Sequence, residues 1–306
     1  IENTIIGGLA GDALTDADLN VAVGYAALTS DTLGSKSVAI GAGALNAQNF
    51  TTATDTYNTA VGHVAGGSIT TGTRNTIVGG LAGDAITTAD QNTVFGALAL
   101  SEETTGEYSV AVGYQALAVQ NSTTGASMYN TVVGYKSGFS VTTGTQNVLM
   151  GALAGDAMTT PNNNVAVGFQ ALSNDTTGQS NVGVGYNALA TQNRTDSTSQ
   201  FNVGVGASAG EQITSGTQNT LIGGLAGDEL TASDFNVAVG YSSLSTDTLG
   251  ARNVAVGHEA LASQNFTTAT TVYNTAVGMQ AGRLITVGEG NTLVGGLAGD
   301  ALTDAD

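Results

Sequence analysis

The chain has 306 residues and carries 24 Asp and Glu against 6 Lys and Arg, which gives a formal net charge of −18 at pH 7. Such a chain repels phosphate backbones and anionic lipid surfaces, so we expect no nucleic-acid partner. It has no Cys, which excludes disulfides and thiolate metal sites, and no apolar run reaches the ~18 residues of a membrane span. We therefore expect no membrane insertion in this segment.

A five-residue pattern recurs along the whole chain. It reads Asn or Ser, then Val or Thr, a small or apolar residue, an apolar residue and Gly, and we number these places one to five. The seventeen copies begin at residues 3, 20, 37, 58, 75, 92, 109, 130, 147, 164, 181, 202, 219, 236, 253, 274 and 291. Repetition at a fixed period is typical of solenoid proteins.

The spacing between copies follows a cycle of 17, 17, 21 and 17 residues. The cycle defines four blocks of 72 residues, 3–74, 75–146, 147–218 and 219–290, with a fifth beginning at 291–306. Place nine follows the same cycle, with Gly in the first and fourth copies of a block and Leu in the second and third. Because similarity covers the entire chain, we predict one solenoid domain over residues 1–306.

Each copy predicts one coil of an all-β, parallel β-roll or β-solenoid of about seventeen coils. Val21–Val23 is β-branched and predicts a strand, and Gly24 permits a bend. Tyr25–Leu28 reads as a second short strand and 29–36 as a polar turn. A helix is excluded because Gly interrupts each apolar cluster. The predicted repeat core includes Gly24, Val38, Ile40, Gly41, Val110, Val112, Gly113, Val254, Val256 and Gly257.

The first strand of a coil is apolar on both faces, which indicates that both faces are covered. We expect one face to pack inside its own coil and the other, with middle residues such as Ala166 and Ala238, to meet neighbouring chains. The alternative is a narrow monomeric coil that crowds all three strand residues inward. Stacked coils would also align the place-one Asn residues into amide ladders.

The third coil of each block is longer and adds a loop that ends in an aromatic residue. The loops are Ala47–Tyr57, Val119–Tyr129, Thr191–Phe201 and Ser263–Tyr273. Loops on a solenoid commonly bind partners, so Tyr57, Tyr129, Phe201 and Tyr273 are candidate contact residues. The alternative is that each aromatic ring folds back over the coil edge.

One acidic residue per block occupies place twelve of the second coil, namely Asp31, Glu103, Asp175 and Asp247. The third coil carries Gln48, Gln120, Gln192 and Gln264. We interpret the acids as exposed charges whose spacing of one per block limits repulsion along the stack.

Ser37–Gly41 and Ser109–Gly113, SVAIG and SVAVG, resemble the head repeats of YadA-like trimeric autotransporter adhesins. The resemblance implies a left-handed parallel β-roll with three chains about one axis, and hence a homotrimer. The unit here is longer than in those adhesins. Asn58–Gly62 and Asn202–Gly206, with their Thr-rich turns, are also similar to repeats of phage tail-fibre and large bacterial surface proteins.

No arrangement of residues indicates catalysis, because almost every side chain is one of several equivalents. His63 and His258 have no partner at metal-ligand spacing. The stretch 7–14 resembles the calcium-binding nonapeptide of RTX proteins, which makes calcium candidates of Asp12, Asp84, Asp156, Asp228 and Asp300. Those copies lie 72 residues apart rather than on consecutive turns. Thr-rich turns such as 70–73 could form an ice-binding rank.

The sequence therefore favours a non-enzymatic structural and adhesive fibre segment of a bacterial surface filament or adhesin. We expect it outside the cell, on a cell surface or virion, where it holds a tip or binding loops away from that surface. A host-surface or matrix receptor is the expected partner, and no cofactor is expected. A phage tail-fibre shaft is the alternative, followed by a calcium- or ice-binding solenoid.

Overall fold

A computed structural model describes residues 2–304; Ile1 and the last two residues of the fifth block lie outside the described part. Within that range the fold is all-β and contains no helix. The chain divides into two compact units, Ile1–Met150 and Gly151–Asp306. Each unit is a β-solenoid in which one coil contributes one three-residue strand, nine coils in the first unit and eight in the second.

The strands pair in parallel with their equivalents in the adjacent coil, as Val21 does with Val38 and Ala22 with Ala39. The first unit contains β1 (Thr4–Ile6), β2 (Val21–Val23), β3 (Gly34–Ser35), β4 (Val38–Ile40), β5 (Thr54–Asp55), β6 (Thr59–Val61), β7 (Thr76–Val78), β8 (Thr93–Phe95), β9 (Val110–Val112), β10 (Thr131–Val133) and β11 (Val148–Met150). The second contains β12 (Val165–Val167), β13 (Val182–Val184), β14 (Val203–Val205), β15 (Thr220–Ile222), β16 (Val237–Val239), β17 (Gly250–Ala251), β18 (Val254–Val256), β19 (Thr270–Thr271), β20 (Thr275–Val277) and β21 (Thr292–Val294). The predicted parallel β-solenoid is confirmed.

The middle residue of each three-residue strand from β2 to β20 lies inside the coil, and its two neighbours point outward. Ala166 and Ala238 are fully buried within their own coils, so the expectation that they face other chains is wrong. Because side chains alternate along a strand, place three lies on the same side as place one, where Asn is buried. The narrow-coil alternative is wrong as well, because places two and four remain partly exposed.

The predicted second strand, Tyr25–Leu28, is instead a turn. Ala26 and Leu28 both adopt left-handed backbone conformations, each with φ of 53°. Their amides still donate to other coils, Ala26 N to Gly8 O at 2.9 Å and Leu28 N to Ala44 O at 3.0 Å. Inter-coil hydrogen bonds therefore continue through the corner without extended backbone.

The Asn residues of place one form a ladder inside each unit. Its recurring bond joins a side-chain oxygen to the backbone N–H of the next coil, and the predicted amide-to-amide bond accompanies it only between some pairs, such as Asn147 and Asn130. Asn20 Oδ1 accepts the backbone N–H of Ser37 at 2.8 Å, and Asn58 Oδ1 accepts that of Asn75 at 2.9 Å. The Nδ2 group of Asn58 donates to Gly72 O at 2.7 Å, across its own coil. Each amide thus links two neighbouring coils and also closes one, which accounts for the burial of a polar column.

A large apolar side chain inside each coil comes from place nine in some coils and from place twelve in the others. Where place nine is Leu, as at Leu28, place twelve is polar; where it is Gly, as at Gly66, place twelve is an aliphatic residue or Met, here Ile69. A Cβ on Gly66 would lie 3.0 Å from Ile69 Cδ1. Either place nine or place twelve thus supplies a large apolar side chain, which explains the Gly and Leu cycle of place nine. Some coils bury a second one at place three, as Ile77 is in the coil of Ile86.

Place five brings the backbones of successive coils too close for any side chain. Gly24 has φ of +135°, and a Cβ there would lie 2.6 Å from the carbonyl carbon of Gly41. Other residues rarely adopt this conformation, and the contacting atoms belong to a backbone that cannot move aside. Place five therefore has to be Gly in every stacked coil.

We expect Gly24→Ala to destabilise the first unit by about 3 kcal/mol or more, through steric overlap and backbone strain. Gly80→Ala is the matched control, because nothing lies within 4 Å of a Cβ at that position and its φ is not positive. Denaturant unfolding of both variants measures the difference. Equal unfolding midpoints would contradict this role of place five.

Candidate functional site

The place-twelve acids lie inside the coils and hold the long loops. Asp31 is fully buried. Its Oδ1 accepts the N–H groups of Gly34 at 3.1 Å and Phe50 at 3.0 Å, and its Oδ2 accepts from Gln48 Nε2 at 2.6 Å. Gln48 Oε1 in turn accepts from Asn58 Nδ2 at 2.9 Å. We call this set the loop clasp, since it joins both ends of the long loop to the coil before it.

The other three blocks repeat the loop clasp. Gln120 donates to Glu103 at 2.8 Å, Gln192 to Asp175 at 2.8 Å and Gln264 to Asp247 at 2.5 Å. All four acids are fully buried, so their interpretation as spaced surface charges is wrong. The four-coil period instead reflects one clasp for each long loop. Burial raises the pKa of Asp175, and the hydrogen bond from Gln192 opposes that shift.

The sequence carries a signal for this clasp that the charge-based interpretation missed. Each acid is followed by Thr, a variable residue and Gly, as in 31–34 and 103–106. A carboxylate three residues before Gly is typical of a turn in which the side chain accepts a backbone N–H. The partners in the next coil, such as Phe50, leave no such local signal.

We expect Asp31→Ala to lower the free energy of unfolding by about 3 kcal/mol, because three buried donors lose their acceptor. Asp16→Ala, at an exposed position of the same unit, is the control and should change stability little. Chemical denaturation measures both, and hydrogen exchange should locate increased opening at residues 50–57. A loss no larger than that of Asp16→Ala would contradict the clasp.

The long loops pair with the coil before them instead of projecting freely. β5 pairs in parallel with β3, and β19 with β17. Their terminal aromatics are 50% to 62% exposed: Tyr57, Tyr129, Phe201 and Tyr273. Each ring directly precedes place one of the next coil. In the first unit Tyr129 stacks on Tyr108 with centroids 5.3 Å apart, and Lys36 lies over Tyr57. Both the contact role of these aromatics and the alternative that they cover the coil edge stay predictions.

In each unit, the outward residues of the three-residue strands form a face without charge. The seventeen three-residue strands have 34 positions at places two and four; 8 are Thr and 26 are Val, Ile, Phe or Met. None is charged, although 10% of the chain is. Phe95 is 58% exposed in the single chain. We call this surface the strand face. A water-exposed sheet face alternates with polar residues, so this composition is typical of a covered surface.

Stacked pairs of aromatic side chains at place six border the strand face. Tyr114 stacks on Tyr135 with ring centroids 5.8 Å apart, and Phe169 on Tyr186 at 5.7 Å. His258, exposed, stacks on Tyr241 at 5.6 Å. In-register coils bring equal places together, so these pairs extend the apolar surface beyond the strands.

The five calcium candidates lie one per block, at the turn after the Gly of place nine. Asp12 accepts a hydrogen bond from Thr29 at 2.6 Å. The Oδ1 atoms of Asp84 and Asp228 have no hydrogen-bond partner among the described residues. In residues 2–304 no group of three or more His, Cys, Asp or Glu converges in a way that could hold a metal ion. Calcium binding at these positions stays a prediction.

Thr occupies place thirteen in every coil except the third of each block. This column includes more coils than the Thr-rich turns considered as an ice-binding rank. Thr87 Oγ1 donates to Thr104 O at 3.0 Å, and Thr231 Oγ1 to Thr248 O at 3.1 Å. The third coil of each block has Asn at this place, and Asn121 accepts from Thr104 at 2.9 Å. These hydroxyls therefore donate to the next coil and support its stacking.

Asp228 has a strongly perturbed carboxyl. Burial raises its pKa to about 6, and Glu229 and Glu211 add repulsion. Because the folded-state value lies above the ordinary 3.8, ionisation is penalised by folding. The penalty is complete above the folded pKa and is relieved as the pH falls towards the ordinary value.

We expect Asp228→Asn to raise the melting temperature at about pH 7.5 and to have no effect at about pH 3.5, where the native carboxyl is already neutral. Glu229→Gln removes only a neighbouring charge and should give a smaller gain at the higher pH. Thermal unfolding at both pH values makes the comparison. The same gain at both would show that charge is not the cause.

No family model, curated protein or solved structure matches the chain. Along residues 2–304 the structure contains no helix long and apolar enough to cross a membrane. The β-solenoid fold and its repeats are thus the properties on which a functional assignment can rest.

Proposed function

We propose that this chain is a structural and adhesive fibre segment, in which three copies pack their strand faces about one axis. The observation that carries the proposal is the absence of charge from all 34 outward strand positions in a chain of net charge −18. Burying these side chains between copies removes a continuous apolar surface from water. The number of copies follows the resemblance to trimeric adhesin heads.

A second copy of the chain is the partner that fits the strand face best. The face repeats at every coil, and a complementary surface must repeat with the same spacing to pack along it. Another copy supplies that spacing. The acidic residues other than those of the loop clasps then remain on the outer surface of the assembly, where repulsion keeps neighbouring fibres apart.

The fibre presents its long loops on the outside of a rigid scaffold. The loop clasp fixes each loop, while the exposed residues differ between blocks, as Tyr57 and Phe201 do. We assign to this segment a place on a bacterial surface or virion and contact with a host-surface or matrix receptor through these loops. The proposal involves no catalysis and no cofactor.

The native mass of the full chain tests the assembly. We expect three chains for the natural sequence and one chain for Phe95→Glu, which places three carboxylates around an apolar axis. Thr88→Glu adds the same charge at an exposed turn and should leave the mass unchanged. Circular dichroism confirms that each variant is folded. A natural sequence that sediments as a single chain would overturn the proposal.

A further inference from the structure

A small cavity in the second unit has a lining unlike that of the equivalent positions in the other blocks. Its volume is about 200 Å³, and its lining includes Ser233, Asp234, Phe235, Arg252 and Thr271. It lies beside the paired strands β17 and β19 at the edge of the sheet. We propose that this cavity binds one neutral sugar ring of a glycan. The inference stands apart from self-assembly and has its own test.

Block 1 provides an internal comparison, because its sequence around the equivalent positions is nearly the same. There Lys36 Nζ lies 2.6 Å from Asp55 Oδ2 and 3.3 Å from the Tyr57 hydroxyl. In block 4 these positions hold Arg252 and Thr271. Because block 4 has Thr271 where block 1 has Asp55, it lacks the carboxylate that pairs with the cation in block 1.

Arg252 is held in place without an ionic partner. Its guanidinium lies 4.5 Å from the ring centroid of Phe235 and 6.0 Å from that of Tyr273. Within residues 2–304 it forms no side-chain hydrogen bond or ion pair. Stacking on an aromatic ring orients the planar group while its N–H donors stay free. Block 1 has Leu19 at the position of Phe235, which cannot support a cation in this way.

Ser233 lines the same cavity and carries a buried hydroxyl. The residue is 2% exposed, and its Oγ has no hydrogen-bond partner among the described residues. The equivalent residues of the other blocks are Ala17, Ala89 and Pro161, so packing at this position requires no hydroxyl. An unpaired buried hydroxyl is costly unless a ligand satisfies it.

The lining requires a ligand that both accepts and donates hydrogen bonds. Arg252 only donates. Asp234 Oδ1 accepts hydrogen bonds from the backbone N–H and the hydroxyl of Thr217, at 2.6 and 3.0 Å. Its Oδ2 therefore remains as an acceptor for a ligand. An anion would meet Asp234 and the acidic chain, and a cation would meet Arg252. Neighbouring hydroxyl groups of a neutral sugar suit both side chains.

Size and shape narrow the ligand further. The cavity of about 200 Å³ is smaller than the ~300–1,000 Å³ of sites for drug-sized molecules. It therefore accepts one ring and not a chain of several. Leu249 and Ala269 supply an apolar wall, against which the carbon-bound hydrogens of a sugar can pack. The remaining glycan would extend into solvent.

Calorimetric titration of the full chain with methyl glycosides of glucose, galactose and mannose tests the proposal. We expect saturable binding of at least one, with one site per chain. The variant Ser233→Ala/Arg252→Lys/Thr271→Asp installs the block 1 residues and restores an ion pair that the fold accepts. It should bind about tenfold more weakly or worse, since several hydrogen bonds are lost. Thermal unfolding and native mass control for its folding and assembly.

The reciprocal variant gives a gain of function. Ala17→Ser/Leu19→Phe/Lys36→Arg/Asp55→Thr should create a second site and raise the stoichiometry to two per chain. Absence of saturable binding at millimolar glycoside would overturn the proposal, as would equal binding by the block 1-like variant. Preferential binding of glucuronate or inorganic phosphate would overturn the assignment to a neutral sugar. A chain that binds sugar but has the mass of one copy would refute self-assembly alone.

Discussion

The close approach of backbones at place five is the constraint on which the rest of the structure depends. Gly24 and Gly41 lie so near each other that a Cβ would come within 2.6 Å of backbone atoms. This proximity keeps the strands in register, and register aligns every other place of the coil with its equivalent. The Asn ladder, the Thr column and the stacked aromatic pairs all follow, because each joins equal places of neighbouring coils.

Inside the coils, a second constraint produces the four-coil period. Each coil takes a large apolar side chain from either place nine or place twelve, and the coils that use Leu at place nine have room for a polar group at place twelve. Asp31 and Gln48 use that room to hold the long loop. A buried carboxylate without a cation is tolerated because backbone and amide donors surround it. Its benefit is a fixed loop position, at some cost in desolvation.

The separation of interior from surface explains how blocks can diverge in their exposed residues while keeping one fold. The loop clasp is the same in blocks 1 and 4, yet the surface beside it changes from a closed Lys36–Asp55 pair to an open Arg252 on Phe235. Few substitutions therefore suffice to alter what a block can bind. The strand face does the reverse and keeps its uncharged character in all coils, as expected of a covered surface.

Local patterns determined the β-solenoid, its seventeen coils, the strands at places two to four and the Asn ladder, because strand propensity, Gly and period are all visible in the sequence. The sequence could not decide which strand face is inside, since Ala238 and its neighbours Val237 and Val239 are all apolar. Tertiary structure decided this by burying the side that carries Asn. Tertiary structure also decided that Asp31 is buried and hydrogen-bonded. Its partners Gln48 and Phe50 lie 17 and 19 residues further along the chain and become its neighbours only when coils stack. The cavity beside Arg252 depends on the same stacking, because its walls come from different coils.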